Sequence, residues 1–144
     1  MELSKAIRTA YYTALNGNVT FESIAVPVFD AYALPDGIPY PYILLSSQTS
    51  NQLSIKRCKR YNASILIDIV TGSTDPIGRS DAEDIAEQIE NIVNPDTFID
   101  TDLSAYGYQL GNTTRESDND ISDKNNIYYV YRKLLTYSFL AVKL

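Results

Sequence analysis

The stretch at residues 61–95 constrains the fold more than any other part of the chain, because it joins the most apolar run to the clearest helix. Apolar and polar residues alternate over residues 61–70, which predicts a strand. The apolar side chains on one face of that strand are Tyr61, Ala63, Ile65, Ile67 and Ile69. Residues 80–93 then carry apolar side chains at helical spacing, and Asn94-Pro95 would end the helix. The stretch therefore predicts a helix that packs on a sheet.

The start of this helix is acidic, and helix capping explains the acidity. Ser80 and Glu83 have the spacing of a capping box, in which each side chain accepts a hydrogen bond from the backbone of the other. Asp81 and Asp84 suit the positive end of the helix dipole. Glu90, later in the helix, is predicted to point away from the apolar stripe. We therefore predict no metal site or acid–base site in this cluster.

The remaining segments predict one more helix and several strands. In chain order they are a helix at 2–15, short β structure at 19–33, a proline-rich connector at 34–41, a strand at 42–49, a hairpin tip at 50–60, a connector at 96–104 with Phe98 and Ile99 in the core, a strand at 104–116, a polar turn at 117–126 and a strand at 127–142. This order, α-β-β-β-α-β-β, predicts an α+β fold in a single domain over residues 1–144. The sheet should be mainly antiparallel, with both amphipathic helices on one face.

Composition excludes several functional classes. The chain has no His and one Cys, Cys58, which excludes Ser-His-Asp and Cys-His catalysis, an internal disulfide and a cysteine zinc site. No apolar run approaches the roughly 20 residues that span a bilayer. We predict no catalytic residue, no cofactor, no metal and no membrane partner. An enzyme would need a site built from other side chains, and Asp68 at a strand end, near the 71–79 loop, is the best candidate for it.

Two predicted loops carry opposite charges. Basic residues cluster at one hairpin tip, and acidic residues cluster in the polar turn; they are Lys56, Arg57, Lys59 and Arg60 in the first loop and Asp118, Asp120 and Asp123 in the second. A solvated hairpin arm explains the basic cluster without a partner. The alternatives are that it docks on an acidic protein surface or faces DNA. We predict that these seven residues form subunit or partner contacts, pairing between neighbouring copies of the chain.

Several local sequences resemble those of tail-terminator and tail-completion proteins of tailed bacteriophages. The matching pieces are PYILLSSQTS at residues 41–50, an apolar strand ending in DIVTG, the helix SDAEDIAEQI and a Tyr-rich hairpin at the end of the chain. Together with the N-terminal helix and the short β structure that follows it, they extend the resemblance over nearly the whole chain.

The resemblance implies a structural virion protein with no catalytic residues. Such proteins form a homo-oligomeric ring, a hexamer or dodecamer, at the head–tail junction, where they act as tail terminator, tail-completion protein or connector component. The implied partners are portal or connector proteins and tail proteins, and DNA passes through the lumen without sequence-specific binding. Assembly takes place in the cytoplasm of the bacterial host. The net charge of -6 fits such a conduit, since it disfavours tight binding of DNA.

Two other classes remain open from the residues alone. A small cellular adaptor or a ligand-binding domain would use the same α+β architecture. The mixed second face of the 61–70 strand, where Leu66 and Val70 lie among polar residues, is compatible with any partner-binding role. We expect that face to be covered by something other than the helices of the same chain.

Overall fold

The computed structural model describes residues 1–53, 57–76, 78–95, 102–124 and 127–144. The helices and strands are α1 (Leu3–Leu15), β1 (Thr20–Phe21), β2 (Ile24–Ala25), β3 (Val28–Asp30), β4 (Tyr42–Leu53), β5 (Arg60–Ser73), α2 (Ser80–Val93), β6 (Tyr108–Lys124) and β7 (Tyr129–Lys143). Single turns of 3-10 helix lie at Ala31–Ala33 and Ser104–Tyr106. The order of these elements is the predicted one.

The main sheet has five strands in the order β3-β4-β5-β7-β6. The pairs β4–β5, β5–β7 and β6–β7 are antiparallel, and β3 pairs with β4 in parallel. The short strands β1 and β2 form a separate hairpin. Pro27 stands directly before β3 at the edge of the sheet, where the lack of an N–H does no harm to the ladder. The prediction of a mainly antiparallel α+β sheet is confirmed.

Both helices lie on one face of the sheet. Helix α1 contacts β4, and α2 contacts β5 and β7. We call this side of the sheet the helix face. The apolar core residues on this face include Ile65, Ile67 and Ile69 of β5 and Leu135, Tyr137 and Phe139 of β7. The periodic apolar stripes of α1 and α2 close the core over these residues, as predicted.

The predicted ends of two strands are wrong. Strand β4 continues to Leu53, four residues beyond the predicted end, and β6 runs from Tyr108 to Lys124 through the segment predicted as a polar turn. These extensions are polar, so they lack the apolar alternation that marks a half-buried strand. Hydrogen bonding to β5 and β7 holds them in the sheet instead. Phe98 and Ile99, predicted in the core, lie outside the described residues.

The predicted capping box at the start of α2 is also wrong. Arg79 occupies the N-cap position, Ser80 is already helical, and no side chain caps the first turn. The Glu83 amide donates to the Arg79 carbonyl at 2.9 Å, which is an ordinary first-turn backbone bond. The helix ends at Val93, before Asn94, as predicted.

Glu90 does not point away from the core. Its carboxylate accepts a hydrogen bond from the hydroxyl of Tyr137 on β7 and another, at 2.9 Å, from the side-chain amide of Asn94. The tyrosine ring is fully buried under α2, so its hydroxyl needs a partner at the edge of the core. Glu90 therefore links helix to sheet.

The second face of the sheet, the open face, carries no helix within the described ranges. Its residues alternate with those of the helix face and include Leu66, Asp68 and Val70 of β5. Val70 is only 2% exposed in the single chain, so parts of the same chain other than the described helices already cover it. Leu66 is half-buried and remains available to a partner.

Neither described helix has the length and apolar character needed to cross a membrane.

Candidate interaction surfaces

The tip of the β4–β5 hairpin and the end of β7 form a basic end of the molecule. Arg57, Lys59 and Arg60 are exposed there. The amide of Lys143 donates to the carbonyl of Lys59 at 2.9 Å, which adds a fourth cation to the same end. Within the described part of the chain, none of these four side chains forms an ion pair. Lys56, predicted to join them, lies outside the described residues.

Two of the three predicted acidic contact residues already have cationic partners within the chain. Asp118 pairs with Lys133 at 2.9 Å and with Arg115 at 2.7 Å. Asp120 pairs with the same lysine at 3.5 Å. Since Lys133 is buried, the two carboxylates neutralise a charge that would otherwise be costly to bury. The register of β6 against β7 creates this cluster, which cannot be read from sequence separation.

The groups around Asp120 also change the pKa of its carboxyl group. The Tyr131 hydroxyl and Lys133 lower the pKa of Asp120, the tyrosine having the larger effect. Burial, and then the same contact with Asp120, raise the pKa of Tyr131. These groups therefore form a network along the outer strand β6, and their first role is to hold that strand in register.

Asp123 has a different environment from Asp118 and Asp120. It is exposed near the end of β6, and its carboxylate accepts a hydrogen bond from the amide of Lys124 at 2.7 Å. It lies opposite Val130 of β7, which in turn lies opposite Gly72 near the end of β5. Asp123 thus marks the end of the sheet farthest from the basic end.

The length of β5 separates these two ends. The strand has 14 residues, from Arg60 at the basic end to Ser73 at the other. At about 3.3 Å per residue, the two ends are about 40 Å apart. A contact between Arg57 and Asp123 therefore requires two copies of the chain.

Asp68 lies on the open face and is paired with Arg132 of β7. Its side chain is 3% exposed, whereas that of the arginine is 42% exposed. Arg132 approaches with two nitrogens, and its Nε lies 3.3 Å from Oδ1 of Asp68. The hydrogen bond to Asp68 raises the pKa of Arg132. This geometry is that of an ion pair that stabilises the face, and the carboxylate is not directed into an open site.

A wide cleft lies at the end of the sheet opposite the basic end. We call it the tyrosine cleft. It has a volume of about 860 Å³, and its walls are the 34–40 segment, Tyr42, Gly72 and the pair Ile127–Tyr128. The ring centroid of Tyr40 lies 5.7 Å from that of Tyr42 and 5.3 Å from that of Tyr128.

Gly72 makes this arrangement possible. A Cβ atom built on Gly72 would lie 2.6 Å from the ring of Tyr40, so only glycine allows the ring to lie against the strand. The sequence predicted the 34–41 segment only as a connector. The cleft could not be predicted from the sequence, because its walls come from three distant parts of the chain. The sequence signal at this site is the proline and tyrosine content of LPDGIPYPY.

The described residues include no group of three or more acidic or cysteine side chains that could hold a metal ion. Cys58 is a free thiol, partly exposed at the hairpin tip.

Over the residues that the structure describes, the main architecture is a two-layer α+β fold, with the five-stranded sheet in one layer and α1 and α2 in the other. No protein-family model and no curated protein matches this sequence. Among solved structures, a chain in the virion of a native gene transfer agent (GTA) particle has a similar fold, with a TM-score of 0.76 and 17% sequence identity. The similarity covers 97% of this chain and 97% of that chain. At this identity, the comparison establishes a shared fold.

Proposed function

We propose that this protein is a structural component of the virion of a tailed bacteriophage or a related particle. In this proposal it forms a ring at the head–tail junction, as a tail terminator, tail-completion protein or connector component. The observation that carries the proposal is the fold similarity to a virion chain over 97% of both chains. Because the similarity extends over almost all of both chains, it is not confined to one part of the fold.

The arrangement of charges supports assembly into a ring. The basic end and the end that carries Asp123 lie at opposite ends of β5, so a contact between them joins two different surfaces. Such a heterologous contact repeats from copy to copy, and it closes into a ring when the rotation per subunit allows. Of the predicted contact residues, Arg57, Lys59, Arg60 and Asp123 fit this contact best. Asp118 and Asp120 contribute less to this contact, because they already have cationic partners within the chain.

The overall charge is consistent with a conduit for DNA. The chain has 18 acidic and 12 basic residues, a net charge of -6. Repulsion between acidic subunits and DNA phosphates disfavours tight binding, and DNA then passes through the lumen without sequence-specific contacts. The partners above and below the ring are portal or connector proteins and tail proteins.

Negative-stain microscopy of the purified protein, combined with sedimentation over a range of concentrations, tests the ring. We expect rings of uniform diameter whose assembly weakens as salt is added, because exposed charges are screened within about 8–10 Å at ordinary ionic strength. A strict monomer at the highest attainable concentration would overturn the proposal.

A pair of variants tests the charged contact within that ring. Arg57→Glu with Lys59→Glu should weaken assembly at low salt. Lys5→Glu, an exposed charge reversal on α1, is the matched control and should leave assembly unchanged. Equal sedimentation of both variants would remove these residues from the contact while leaving the ring itself intact.

Immunogold labelling of particles that contain the protein tests its position. Label at the neck, between head and tail, is the expected result. Label along the tail or over the head would contradict a role at the head–tail junction.

A further inference from the structure

The tyrosine cleft is an open apolar surface with very little charge. Ile127 at its rim is 67% exposed, and Leu34 and Tyr128 are also exposed. Asp36 is the only charged residue among those that line the described cleft. Such a combination of aromatic rings, prolines and one carboxylate favours an occupant that is basic and partly apolar.

The hairpin tip at the basic end has the complementary character. Leu53 is exposed where β4 ends, and Arg57, Lys59 and Arg60 follow on the other side of the tip. These cations have no ion-pair partner in the described part of their own chain. A guanidinium or ammonium group that lacks a carboxylate partner can be attracted to the face of a tyrosine ring.

The chain already shows this type of contact near the cleft. The Nζ of Lys124 lies 4.7 Å from the ring centroid of Tyr129, the residue next to Tyr128. The ring of Tyr129, at this end of the sheet, therefore has a face that accepts a cation. The tip of the same chain cannot reach them, because β5 holds the two about 40 Å apart.

We propose that the tyrosine cleft of one subunit receives the β4–β5 tip of the next subunit. This inference rests on the proposed ring, and it names the contact that builds it. Arg57 or Lys59 lies over the cleft tyrosines and pairs with Asp36, while Leu53 contacts the apolar rim. Charge complementarity selects this occupant, since the charged residues described at the tip are all basic and the charged residue of the cleft is acidic.

Cysteine cross-linking tests the contact directly, because the chain supplies one thiol, Cys58, in the tip itself. Ile127→Cys places a second thiol at the rim of the cleft. Under mild oxidation with copper phenanthroline, this variant should form a ladder of disulfide-linked oligomers. The same substitution combined with Cys58→Ser should form none. Asn91→Cys on the exposed side of α2 is the matched control and should remain uncross-linked.

The outcomes separate this contact from the proposed function. Rings without a ladder in Ile127→Cys would overturn the cleft contact and leave the ring in place, with the cleft open to a segment of another protein. A ladder without rings would support the contact and overturn the closed ring. Neither rings nor a ladder would overturn both.

A charge exchange provides an independent test that needs no new thiol. Arg57→Glu should weaken subunit association about fivefold at low salt, the upper range for an exposed ion pair. Adding Asp36→Arg to the same chain restores an opposite pair between neighbours and should recover most of that loss. Asp36→Arg alone should be as weak as Arg57→Glu. Failure of the double variant to recover would contradict the pairing of these two residues.

Discussion

The two faces of the sheet differ in how their residues are buried. On the helix face, Ile65, Ile67 and Ile69 are fully buried under the helices. On the open face, Asp68 and Val70 are equally buried, but Leu66 is only half-buried. Helices contact β4, β5 and β7 on the first face. On the second face, the ion pair between Asp68 and Arg132 lies towards the end of the sheet that carries the stacked rings of Tyr40 and Tyr42. The uncovered part of the open face and the two ends of the sheet are therefore where a partner gains most by binding.

The test with the largest expected effect on stability compares substitutions at two neighbouring residues of β5. Ile67→Ala should reduce the free energy of unfolding by about 2–5 kcal/mol, because it leaves a cavity in the closed core. Leu66→Ala, one residue away on the open face, should cost about 1 kcal/mol, since part of its side chain is already in water. Urea denaturation at low protein concentration measures both.

Equal costs for the two variants would show that the open face is as well covered as the helix face. The same two variants can also be compared under conditions in which the protein forms oligomers. If a neighbouring subunit covers Leu66, its substitution becomes more costly in the oligomer than in the monomer.

The second test concerns the ion pair on the open face. Arg132→Leu leaves the carboxylate of Asp68 buried without a cation, and should cost about 1–3 kcal/mol. This is less than the roughly 3–5 kcal/mol of a fully buried pair, because the arginine is 42% exposed and water reaches it. Asp68→Asn should cost less than about 1 kcal/mol, since Arg132 can then turn to solvent.

Thermal or urea unfolding of the two variants measures this asymmetry. A greater loss for Asp68→Asn would mean that the guanidinium, and not the carboxylate, depends on the pair for its burial.

The helix face shows what could be predicted from the sequence. The stripes of α1 and α2 and the alternation in β5 and β7 were read correctly, because burial on one side imposes a period of 3.6 or 2 on the apolar residues. The same argument failed at the ends of β4 and β6. Segments such as SNQ and DNDISDK stay in the sheet through hydrogen bonds to a neighbouring strand, and these bonds leave no apolar pattern.

The candidate site was predictable only in part. The basic tip is local in sequence, so Arg57, Lys59 and Arg60 could be selected as a cluster. The partners of Asp118 and Asp120 depend on the register that brings Lys133 beside them, and the tyrosine cleft depends on the ring of Tyr40 lying against Gly72. Contacts between distant parts of the chain determine both features.

The smallest expected effect is on the helix face, at the hydrogen bond between Tyr137 and Glu90. Burial, and then the hydrogen bond to Glu90, raise the pKa of Tyr137 above its ordinary value of 10.0. The unfolded chain releases this proton near the ordinary pKa, whereas the folded protein retains it. The contribution to stability is therefore fully present below about pH 10 and is lost as the pH rises above that value.

Tyr137→Phe should accordingly have two effects. At neutral pH it should cost about 1 kcal/mol, the value of one hydrogen bond. Between about pH 9 and pH 11 its stability should fall less steeply than that of the wild type, because the group responsible for part of the fall is gone. Tyr42, Tyr108 and Tyr131, whose pKa values are also raised, contribute to the fall that remains. If the curves of stability against pH are parallel for the two proteins, Tyr137 has the same pKa in the folded and unfolded chains. Burial on the helix face would then not raise the pKa of its hydroxyl.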